Sequence, residues 1–425
     1  MTKTIRPVYV VGGMRTPFVR SMTSYSGISS QELMTFTLRA LVEKFSLRHQ
    51  VLGDVALGAV MNSSSNWNLA RECVLGSGLH PYTPAYNVQR ACGTSLEAAG
   101  QLALKIGVGQ IESAIAGGVD TNSDLPIEFS KETSQKLIAL SGAKKIPDKL
   151  KMMLKFRFSD LKPKVPGVVE PRTLLSMGQH CERMVQVWNV SQREQDELAL
   201  TSHMNAHRAY ENKFYSDLVC EFQGVTKDSL VRSDTSIERL SKLKPAFDFS
   251  GKGTLTAGNS SPLTDGASAV LLASSEECEK KGWPKQARFV DAQVSAVDFV
   301  HGDGLLMAPT RAVGELLRRN QLKLQDFDFY EIHEAFSGQV LCTLKAWESE
   351  EYCLKFLCSN ALGSIDRSKM NIYGGSVALG HPFAATGARI ISSLAKALSA
   401  EKGKRGLISV CTGGGMGVAA ILESC

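Results

Sequence analysis

Two cysteines and two histidines occur in sequence contexts that could support acyl chemistry. The first, Cys92, lies in residues 90–95 (RACGTS), between a strand-like approach and a predicted helix. A thiol at a helix N-terminus feels the positive end of the helix dipole, which favours the nucleophilic thiolate. A buried structural thiol is the alternative for any single cysteine. The companions of Cys92 must therefore decide between the two interpretations.

The other three candidates stand in glycine-rich loops or at strand ends. His381 lies in residues 374–382 (GGSVALGHP), a constrained loop where capping a helix is the alternative role. His333 follows an apolar strand, where a satisfied polar residue is the alternative. Cys411 follows another apolar strand and precedes three glycines, and the N–H groups of such a turn can form an oxyanion hole. Residues 413–417 (GGGMG) fit neither the dinucleotide nor the P-loop spacing, which argues against a phosphate loop.

The elements that must position these side chains alternate between strands and helices. Apolar runs bounded by glycines or turns predict strands at residues 8–13, 55–61, 113–118, 253–258, 267–273, 287–296, 327–332 and 406–410. Helical spacing of apolar residues predicts helices at residues 30–44, 95–108, 191–210, 310–319 and 384–400. This alternation predicts a layered α/β fold with parallel strand pairing.

The reactive residues follow a repeated pattern. Cys92 opens a small-residue helix, and an apolar strand that ends in glycines comes after it. His381 opens a second such helix, which leads to Cys411 and its glycines, so a duplicated α/β unit is inferred. The predicted parts are residues 1–120 with 245–285 as the first half, 121–244 as an inserted, largely helical loop domain, and 286–425 as the second half.

Composition narrows the classes of function. The 425 residues carry a formal net charge of +6 without a long basic run, so nucleic acid is not a predicted partner. The ten cysteines lack the paired spacing of zinc sites, and no metal is expected. No apolar run reaches about 18 residues, the length of a membrane-spanning helix. The first residues lack a signal-peptide pattern, and we therefore expect a cytoplasmic protein of bacterial type with mostly buried thiols.

Four spaced motifs together resemble those of the thiolase family. They are RACGTS at 90–95, HEAF at 333–336, GHP at 380–382 and CTGGGMG at 411–417. Residues 253–261 (GTLTAGNSS) and 265–267 (DGA) match a further thiolase stretch, so the resemblance covers nearly the whole chain. It implies a duplicated five-layer α-β-α-β-α fold with an inserted helical loop domain, acetyl-CoA C-acyltransferase activity, and a homodimer paired through the sheets.

A narrower resemblance concerns His333, because most thiolases carry asparagine at this position. The histidine form, with residues 374–376 (GGS) and 383–387 (FAATG), is similar to the β subunit of the fatty-acid oxidation trifunctional complex. This similarity implies a hydratase/dehydrogenase α subunit as a partner. Histidine can donate one hydrogen bond as asparagine does, but it can also titrate.

The thiolase resemblance implies a role for each reactive residue. Cys92 would attack the ketone of a 3-ketoacyl-CoA and carry the acyl group, and His381 would take the thiol proton. The enolate oxygen would be held by His381 and by a water bound to His333. Cys411 would protonate the enolate carbon and then deprotonate incoming CoA. The N–H groups of Cys92 and Gly413 would form the second oxyanion hole.

Coenzyme A is the implied co-substrate, and no permanently bound cofactor is implied. We expect it to lie against the inserted domain. Ser261 matches the family position that touches the pantetheine arm of CoA. Met177 lies in a nearby stretch (SMG), and plain core packing is the alternative role for this side chain.

Residues 147–164 (PDKLKMMLKFRFSDLKPK) form a basic, partly apolar segment of the insert. At helical spacing, five apolar side chains fall on one side among lysines and arginines, namely Leu150, Met153, Leu154, Phe156 and Leu161. Such a helix could lie at a membrane surface, dock on a partner subunit or steer an anionic CoA ester. A lid helix packed on its own domain is the alternative.

The residues and the resemblance together predict a 3-ketoacyl-CoA thiolase of fatty-acid β-oxidation. A biosynthetic acetoacetyl-CoA thiolase is one alternative. A non-catalytic, lipid-binding relative is another, although no reactive residue is missing. Decarboxylating condensing enzymes of the same fold pair a cysteine with two histidines, and Cys411 argues against them.

Overall fold

The computed structural model describes residues 5–164, 167 and 169–425. The predicted start of the first half, residues 1–4, lies outside the described residues. The strands are β1 Val8–Arg15, β2 Val19–Arg20, β3 Asp54–Gly58, β4 Ala85–Asn87, β5 Ser113–Asp120, β6 Thr264–Ser274, β7 Ala287–Ala296, β8 Phe329–Ile332, β9 Arg405–Thr412 and β10 Met416–Glu423.

The α-helices include both long central helices and short surface ones. They are α1 Ser30–Lys44, α2 Leu69–Ser77, α3 Thr94–Gly107, α4 Lys131–Gly142, α5 Ile146–Met153, α6 Met177–Val187, α7 Gln192–Glu211, α8 Ile237–Leu240, α9 Ser275–Lys281, α10 Ala308–Asn320, α11 Ser337–Glu348, α12 Glu350–Leu357, α13 Ser376–Leu379 and α14 Thr386–Ser399.

The order of the strands shows the duplication. Hydrogen bonds join them as β4-β3-β5-β6-β1-β7-β10-β9-β8, and β2 pairs with β6. The two halves meet where β1 pairs with β7, antiparallel, between Val8 and Phe289 and at the two following positions. Outward from this junction, the first half places β1, β6, β5 and β3, with β4 beyond them, and the second half places β7, β10, β9 and β8, so both halves run from their first strand to their last, then their penultimate, then an earlier one. The predicted duplicated α/β fold is therefore confirmed. The predicted parallel pairing is wrong for most of the sheet, since among the strands that the structure describes only β3 with β4, β3 with β5 and β8 with β9 are parallel and the other pairs are antiparallel.

Three apolar cores separate five layers. The first core joins α1 and α2 to one face of the first half-sheet, and it includes Leu38 and Ile115. The middle core holds α3 and α14 together with strand residues of both halves. The third core joins α10 and α11 to the outer face of the second half-sheet. The layers therefore follow the order α-β-α-β-α, with α3 and α14 as the shared central layer.

Small residues allow the two central helices to approach closely. A side chain at Gly387, in the first turn of α14, would place its Cβ 2.4 Å from the backbone nitrogen of Leu96 in α3. Glycine is therefore required at this contact. The consequence is that the N-terminal ends of α3 and α14 meet at the centre of the molecule.

Helix boundaries follow local capping signals. The predicted helix at residues 30–44 has these bounds in the structure, because Ser29 and Glu32 form a capping box. Ser191 and Glu194 form a second one at the start of α7. Within the described residues, no helix is long and apolar enough to cross a bilayer.

A buried ion pair joins β1 to the helical region that was predicted to be an insert. Arg15 of β1 donates from both terminal nitrogens to Asp228, and the Arg15 Nη2 to Asp228 Oδ2 distance is 2.7 Å. The Tyr210 hydroxyl of α7 also donates to Asp228, at 2.7 Å. A buried charge pair with full hydrogen bonding resists separation, since breaking it would leave an uncompensated charge.

Two further sequence-based predictions differ from the structure. Residues 253–258 form no strand, because the Glu182 carboxylate accepts the backbone N–H groups of Thr254 and Leu255, at 2.8 and 2.9 Å. A single helix through residues 147–164 is also wrong. Helix α5 ends at Met153, and Asp160 turns the chain back by accepting Lys136 of α4, at 2.8 Å.

Candidate active site

The loop before α3 presents Cys92 in a tight turn. Ala91 has a φ of 42°, a left-handed conformation that costs energy in a residue with a side chain. The Thr94 hydroxyl secures this turn by donating to the Ala91 carbonyl, at 2.7 Å. A Cβ at Gly93 would lie 2.8 Å from Val418, so glycine is needed there. The strained turn holds the Cys92 thiol at the start of the central helix, partly accessible.

His381 approaches Cys92 from the second half of the chain. It follows Gly380, whose φ of 103° suits glycine. The His381 Nε2 lies 3.2 Å from the Cys92 Sγ, and its Nδ1 lies 2.7 Å from the Thr386 hydroxyl. The Thr386 hydroxyl in turn donates to the Pro382 carbonyl, at 3.3 Å. Nδ1 therefore carries the proton of His381, and Nε2 offers a lone pair to the thiol.

Hydrogen bonds between the two central helices hold this pair in register. The Ser95 hydroxyl donates to the Ala384 carbonyl, at 2.6 Å, and accepts the N–H of Ala388, at 2.8 Å. Asp120, at the end of β5, accepts the N–H of Ala384, at 2.7 Å. These bonds cross from one half of the chain to the other. The distance between Cys92 and His381 is therefore fixed by the duplicated architecture.

His333 completes a pair of facing imidazoles. It follows β8, and its Nε2 lies 3.3 Å from the His381 Nε2. Their ring centroids are 4.2 Å apart. Both rings are buried, with exposed fractions of 1% for His333 and 4% for His381. The structure thus brings His333 to the same site as Cys92.

Cys411 lies near the end of β9, just before the glycine turn that leads to β10. Gly414 and Gly415 have φ values of 76° and 69°, which favour glycine. Cys411 is buried, and the backbone N–H of Ala335 favours the thiolate form of this residue by lowering its pKa. The N–H of Gly413 favours the thiolate form of Cys92 by lowering its pKa. One short hairpin therefore supplies both a second thiol and a backbone donor.

Burial determines the resting charge of the site. Desolvation raises the pKa of Cys92 to about 12, although the N–H groups of Gly413 and of Cys92 itself lower it. Burial also lowers the pKa of His381 to about 3 and that of His333 well below its usual value. It raises the pKa of Cys411, and the Cys92 thiol adds to this effect.

The resting site therefore holds neutral thiols and neutral imidazoles. This differs from the thiolate that the helix dipole favours, because Cys92 precedes the N-cap residue Gly93 and is desolvated. Negative charge has to develop as the sulfur bonds to a substrate, when the proton can pass to His381. The arrangement suits nucleophilic attack assisted by a neutral base.

The two predicted substrate-binding residues lie beside this site. The Ser261 hydroxyl donates to the Ala335 carbonyl, at 2.7 Å, and so braces the loop that carries His333. Met177 starts α6, and its sulfur lies 3.8 Å from where a Cβ at Gly413 would stand. Met177 also packs against the third core, which was its alternative role.

Sequence reasoning missed Glu170, a residue of the insert. It is 8% exposed, and its Oε1 accepts the N–H of Gly414, at 2.6 Å. This bond orients the turn that carries the Gly413 donor. The hydrogen bond joins segments far apart in the sequence, and the only sequence signal for Glu170 is that it lies seven residues before Met177.

Two family models match the chain. The thiolase N-terminal domain matches residues 8–276, and the thiolase C-terminal domain matches residues 284–424. A curated 3-ketoacyl-CoA thiolase of Yersinia pestis (strain Pestoides F) is 37% identical over 423 residues, which covers 98% of this chain and 96% of that protein. The 3-ketoacyl-CoA thiolase of Yersinia pseudotuberculosis serotype O:1b (strain IP 31758) gives the same values.

Solved structures share the whole architecture. The acetyl-CoA acetyltransferase of Bacillus anthracis superposes with a TM-score of 0.83 at 28% identity, covering 100% of both chains. A thiolase from Ascaris suum in complex with coenzyme A superposes with a TM-score of 0.81 at 23% identity, covering 99% of this chain and 100% of that one. The second likeness supports the fold alone.

Proposed function

Because this chain belongs to the thiolase family and is an acyltransferase, we propose that it is a 3-ketoacyl-CoA thiolase of fatty-acid β-oxidation. In this reaction CoA cleaves a 3-ketoacyl-CoA into acetyl-CoA and an acyl-CoA shortened by one acetyl unit. The observation that carries the proposal is the 3.2 Å contact between the Cys92 Sγ and the His381 Nε2. It is supported by the second thiol, Cys411, in the same site.

The first half-reaction transfers the acyl group to Cys92. Its sulfur attacks the ketone carbon while the thiol proton moves to the His381 Nε2, which carries no proton at rest. The bond between the α and β carbons then breaks, and its electron pair forms the enolate of acetyl-CoA. His381 and His333 face the enolate oxygen, with the water that the family places on His333. Cys411 donates its proton to the enolate carbon, which leaves a thiolate at Cys411.

The second half-reaction returns the acyl group to CoA. The Cys411 thiolate takes the proton of incoming CoA, and the CoA sulfur attacks the thioester at Cys92. The oxyanion that forms is held by the N–H groups of Cys92 and Gly413, the donors that the family resemblance implies, and both groups favour negative charge at the Cys92 sulfur. Collapse of this intermediate releases Cys92, which regains its proton from His381. No permanently bound cofactor takes part.

A measurement of thiolysis rates with long and short 3-ketoacyl-CoA substrates tests this proposal. We expect cleavage of long and short substrates alike. Activity confined to acetoacetyl-CoA would favour the biosynthetic alternative. The absence of any cleavage would favour the non-catalytic, lipid-binding alternative.

His333 is expected to contribute to turnover more than to CoA binding. Removing one donor to a developing oxyanion typically costs about 10²- to 10³-fold in rate, and we expect a loss of about 10²-fold in kcat for His333→Ala. The KM for CoA should change by less than about threefold, since the ring faces the reacting atoms. Steady-state kinetics of His301→Ala, an exposed histidine, provide the control. An unchanged kcat in His333→Ala would refute the role.

Coenzyme A is proposed to lie against the insert. Met177 of the insert and Ser261 of the first half both border the catalytic loops. The three-part division, with the insert at residues 121–244, is supported by the sheet, to which residues 121–263 contribute no strand within the described part of the chain. The cytoplasmic location remains a prediction. All ten cysteines lie in the described part as free thiols, which agrees with a reducing compartment.

We also propose a homodimer that forms through the edge strand β4. Within the described residues β4 pairs only with β3, so one edge of the sheet is open. Trp67 and Tyr82 flank this edge and are 93% and 80% exposed. Large exposed aromatic side chains are enriched in protein interfaces. A monomeric mass in analytical ultracentrifugation would refute this proposal.

The exposed apolar side chains of the insert are proposed to contact a membrane surface. Leu154 and Phe158 are 84% and 95% exposed, and Lys149, Lys151 and Lys155 accompany them. Apolar groups that enter the interface, together with basic groups that attract anionic lipids, produce peripheral binding. Docking of a hydratase/dehydrogenase α subunit on the same surface is the alternative occupant.

A double substitution, Leu154→Asp with Phe158→Asp, is expected to weaken binding to vesicles containing an anionic phospholipid. Two large apolar side chains contribute enough burial that we expect a loss of at least about tenfold in affinity. Vesicle cosedimentation measures it, with Leu354→Asp, exposed on α12, as the control. Thiolysis should persist in both variants. Unchanged vesicle binding in the double variant would contradict the membrane proposal.

A further inference from the structure

A chain of buried side chains lies behind His333, on the side away from Cys92. The His333 Nδ1 lies 3.0 Å from the hydroxyl oxygen of Ser376, the first residue of α13. Arg389 of α14 donates from Nη2 to the same oxygen, at 2.8 Å. Ser376 is fully buried and Arg389 is 2% exposed. The three side chains therefore form a relay that water does not reach.

The donor and acceptor capacities of these groups fix the direction of each hydrogen bond. A guanidinium has only donors, so the Ser376 oxygen must accept from Arg389. The oxygen has a second lone pair, but if it also accepted from the His333 Nδ1, the buried hydroxyl proton would have no acceptor among the hydrogen bonds of the described residues. This proton is therefore given to the His333 Nδ1. This nitrogen accepts, which means that it is bare and that the proton of the neutral imidazole is on Nε2.

Glu331 compensates the charge of Arg389. Its Oε2 lies 3.9 Å from the Arg389 Nη1, and both side chains are buried. An isolated charge at this depth would be costly. The pair keeps a permanent hydrogen-bond donor, the Arg389 guanidinium, next to Ser376. Glu331 lies on β8, and His333 lies two residues later in the loop that follows this strand.

We propose that Ser376 and Arg389 are positioning residues that hold the proton of His333 on Nε2, where it can be donated to the substrate oxygen. This inference rests on the proposed thiolase function, and it assigns to the relay a role in orienting the donor. His381 is fixed in the opposite tautomer, because its Nδ1 proton goes to Thr386. Of the two Nε2 atoms, 3.3 Å apart, the one of His333 thus carries a proton and the one of His381 is bare.

The opposite tautomers explain why two histidines can share this site. The bare Nε2 of His381 can take the proton of Cys92, while the protonated Nε2 of His333 can stabilise negative charge on oxygen. Two bare nitrogens facing each other would repel, and the oxyanion would lose a donor. An asparagine at position 333 would need no such relay, because its amide group has a fixed N–H donor.

A double-mutant cycle tests whether the relay acts through His333. We expect Ser376→Ala to lower kcat by about tenfold, since it leaves the buried Nδ1 without a partner, and to change the KM for CoA by less than about twofold. In a His333→Asn background, the same substitution should lower kcat by less than about twofold. Equal losses in the two backgrounds would show a merely structural effect and would overturn the proposal.

Ser392→Ala provides the matched control. Ser392 is also a buried serine, but it lies on α14, and its hydroxyl donates to the Ala388 carbonyl of the same helix, at 2.7 Å. We expect its kcat to equal that of the unaltered protein. Thermal unfolding of all variants shows whether any loss of kcat reflects a loss of folded protein.

Nitrogen NMR of protein labelled at its histidine nitrogens gives a readout that does not depend on activity. Protonated and bare imidazole nitrogens differ widely in chemical shift, and the spectrum of His333→Asn identifies the His333 signals. We expect a bare Nδ1 and a protonated Nε2. A protonated Nδ1 would overturn the proposal. If the protein cleaved no 3-ketoacyl-CoA, the proposed function would fail while this spectrum still decided the tautomer.

Discussion

The substitution Cys92→Ser is expected to lower kcat for thiolysis by at least about 10³-fold. A serine hydroxyl is far less acidic than a thiol, and the neutral His381 is a weak base because burial lowers its pKa to about 3. The buried site therefore gives little help in ionising an alcohol. Loss of 3-ketoacyl-CoA absorbance measures the rate. The control is Cys73→Ser, a buried cysteine whose sulfur donates to the Gln31 carbonyl.

Alkylation identifies which thiol carries the acyl group. Iodoacetamide should modify Cys92 in the free enzyme, and prior incubation with an acyl-CoA should protect it. The exposed Cys358 and Cys425 serve as internal controls, because both should react under either condition. Retention of more than a tenth of the activity in Cys92→Ser, or protection at Cys411 in place of Cys92, would contradict the assignment.

The substitution Cys411→Ser is expected to lower kcat by about 10³-fold, within the range of general acid–base catalysis. Its effect should depend on the leaving group, because Cys411 is proposed to move protons and not to carry the acyl group. An aryl thioester releases a thiolate that needs no proton. Rapid mixing with this substrate should give a burst of one aryl thiolate per active site in Cys411→Ser and no burst in Cys92→Ser.

The control for Cys411→Ser is a substitution of another buried cysteine. Cys353→Ser removes another buried thiol, which donates to the Ala346 carbonyl, and should leave both the burst and kcat unchanged. Absence of the burst in Cys411→Ser, with the protein still folded, would mean that Cys411 is needed for acylation itself. The division of roles between the two cysteines would then be wrong.

Local signals predicted much of this fold from the sequence. The bounds of α1 follow from the capping box of Ser29 and Glu32, and β7 has the bounds predicted from its run of residues rich in apolar side chains. Predictions failed where a distant side chain decides the backbone conformation. Glu182 takes the N–H groups that a strand at residues 253–258 would have used, and Asp160 folds back the predicted helix at residues 147–164.

In the candidate site, too, residues with local sequence signals could be predicted, whereas residues that act through distant contacts could not. Cys92, His333, His381 and Cys411 could be identified because each stands in a short motif with its own chemistry. The supporting residues Glu170 and Ser376 could not, because each acts through a contact with a segment far away in the chain. A carboxylate or hydroxyl in a loop carries no sign of its partner. Their roles become visible only when the fold brings the segments together.

The bond from Glu170 to Gly414 couples the insert to the catalytic turn. If acyl-CoA binding and membrane contact each favour one position of Glu170, the two events are thermodynamically linked. The linkage is reciprocal: a surface that strengthens acyl-CoA binding by a given factor is bound more strongly by the same factor when acyl-CoA is present. Binding of a fatty-acyl substrate and binding of the enzyme to a membrane would then each increase the affinity for the other.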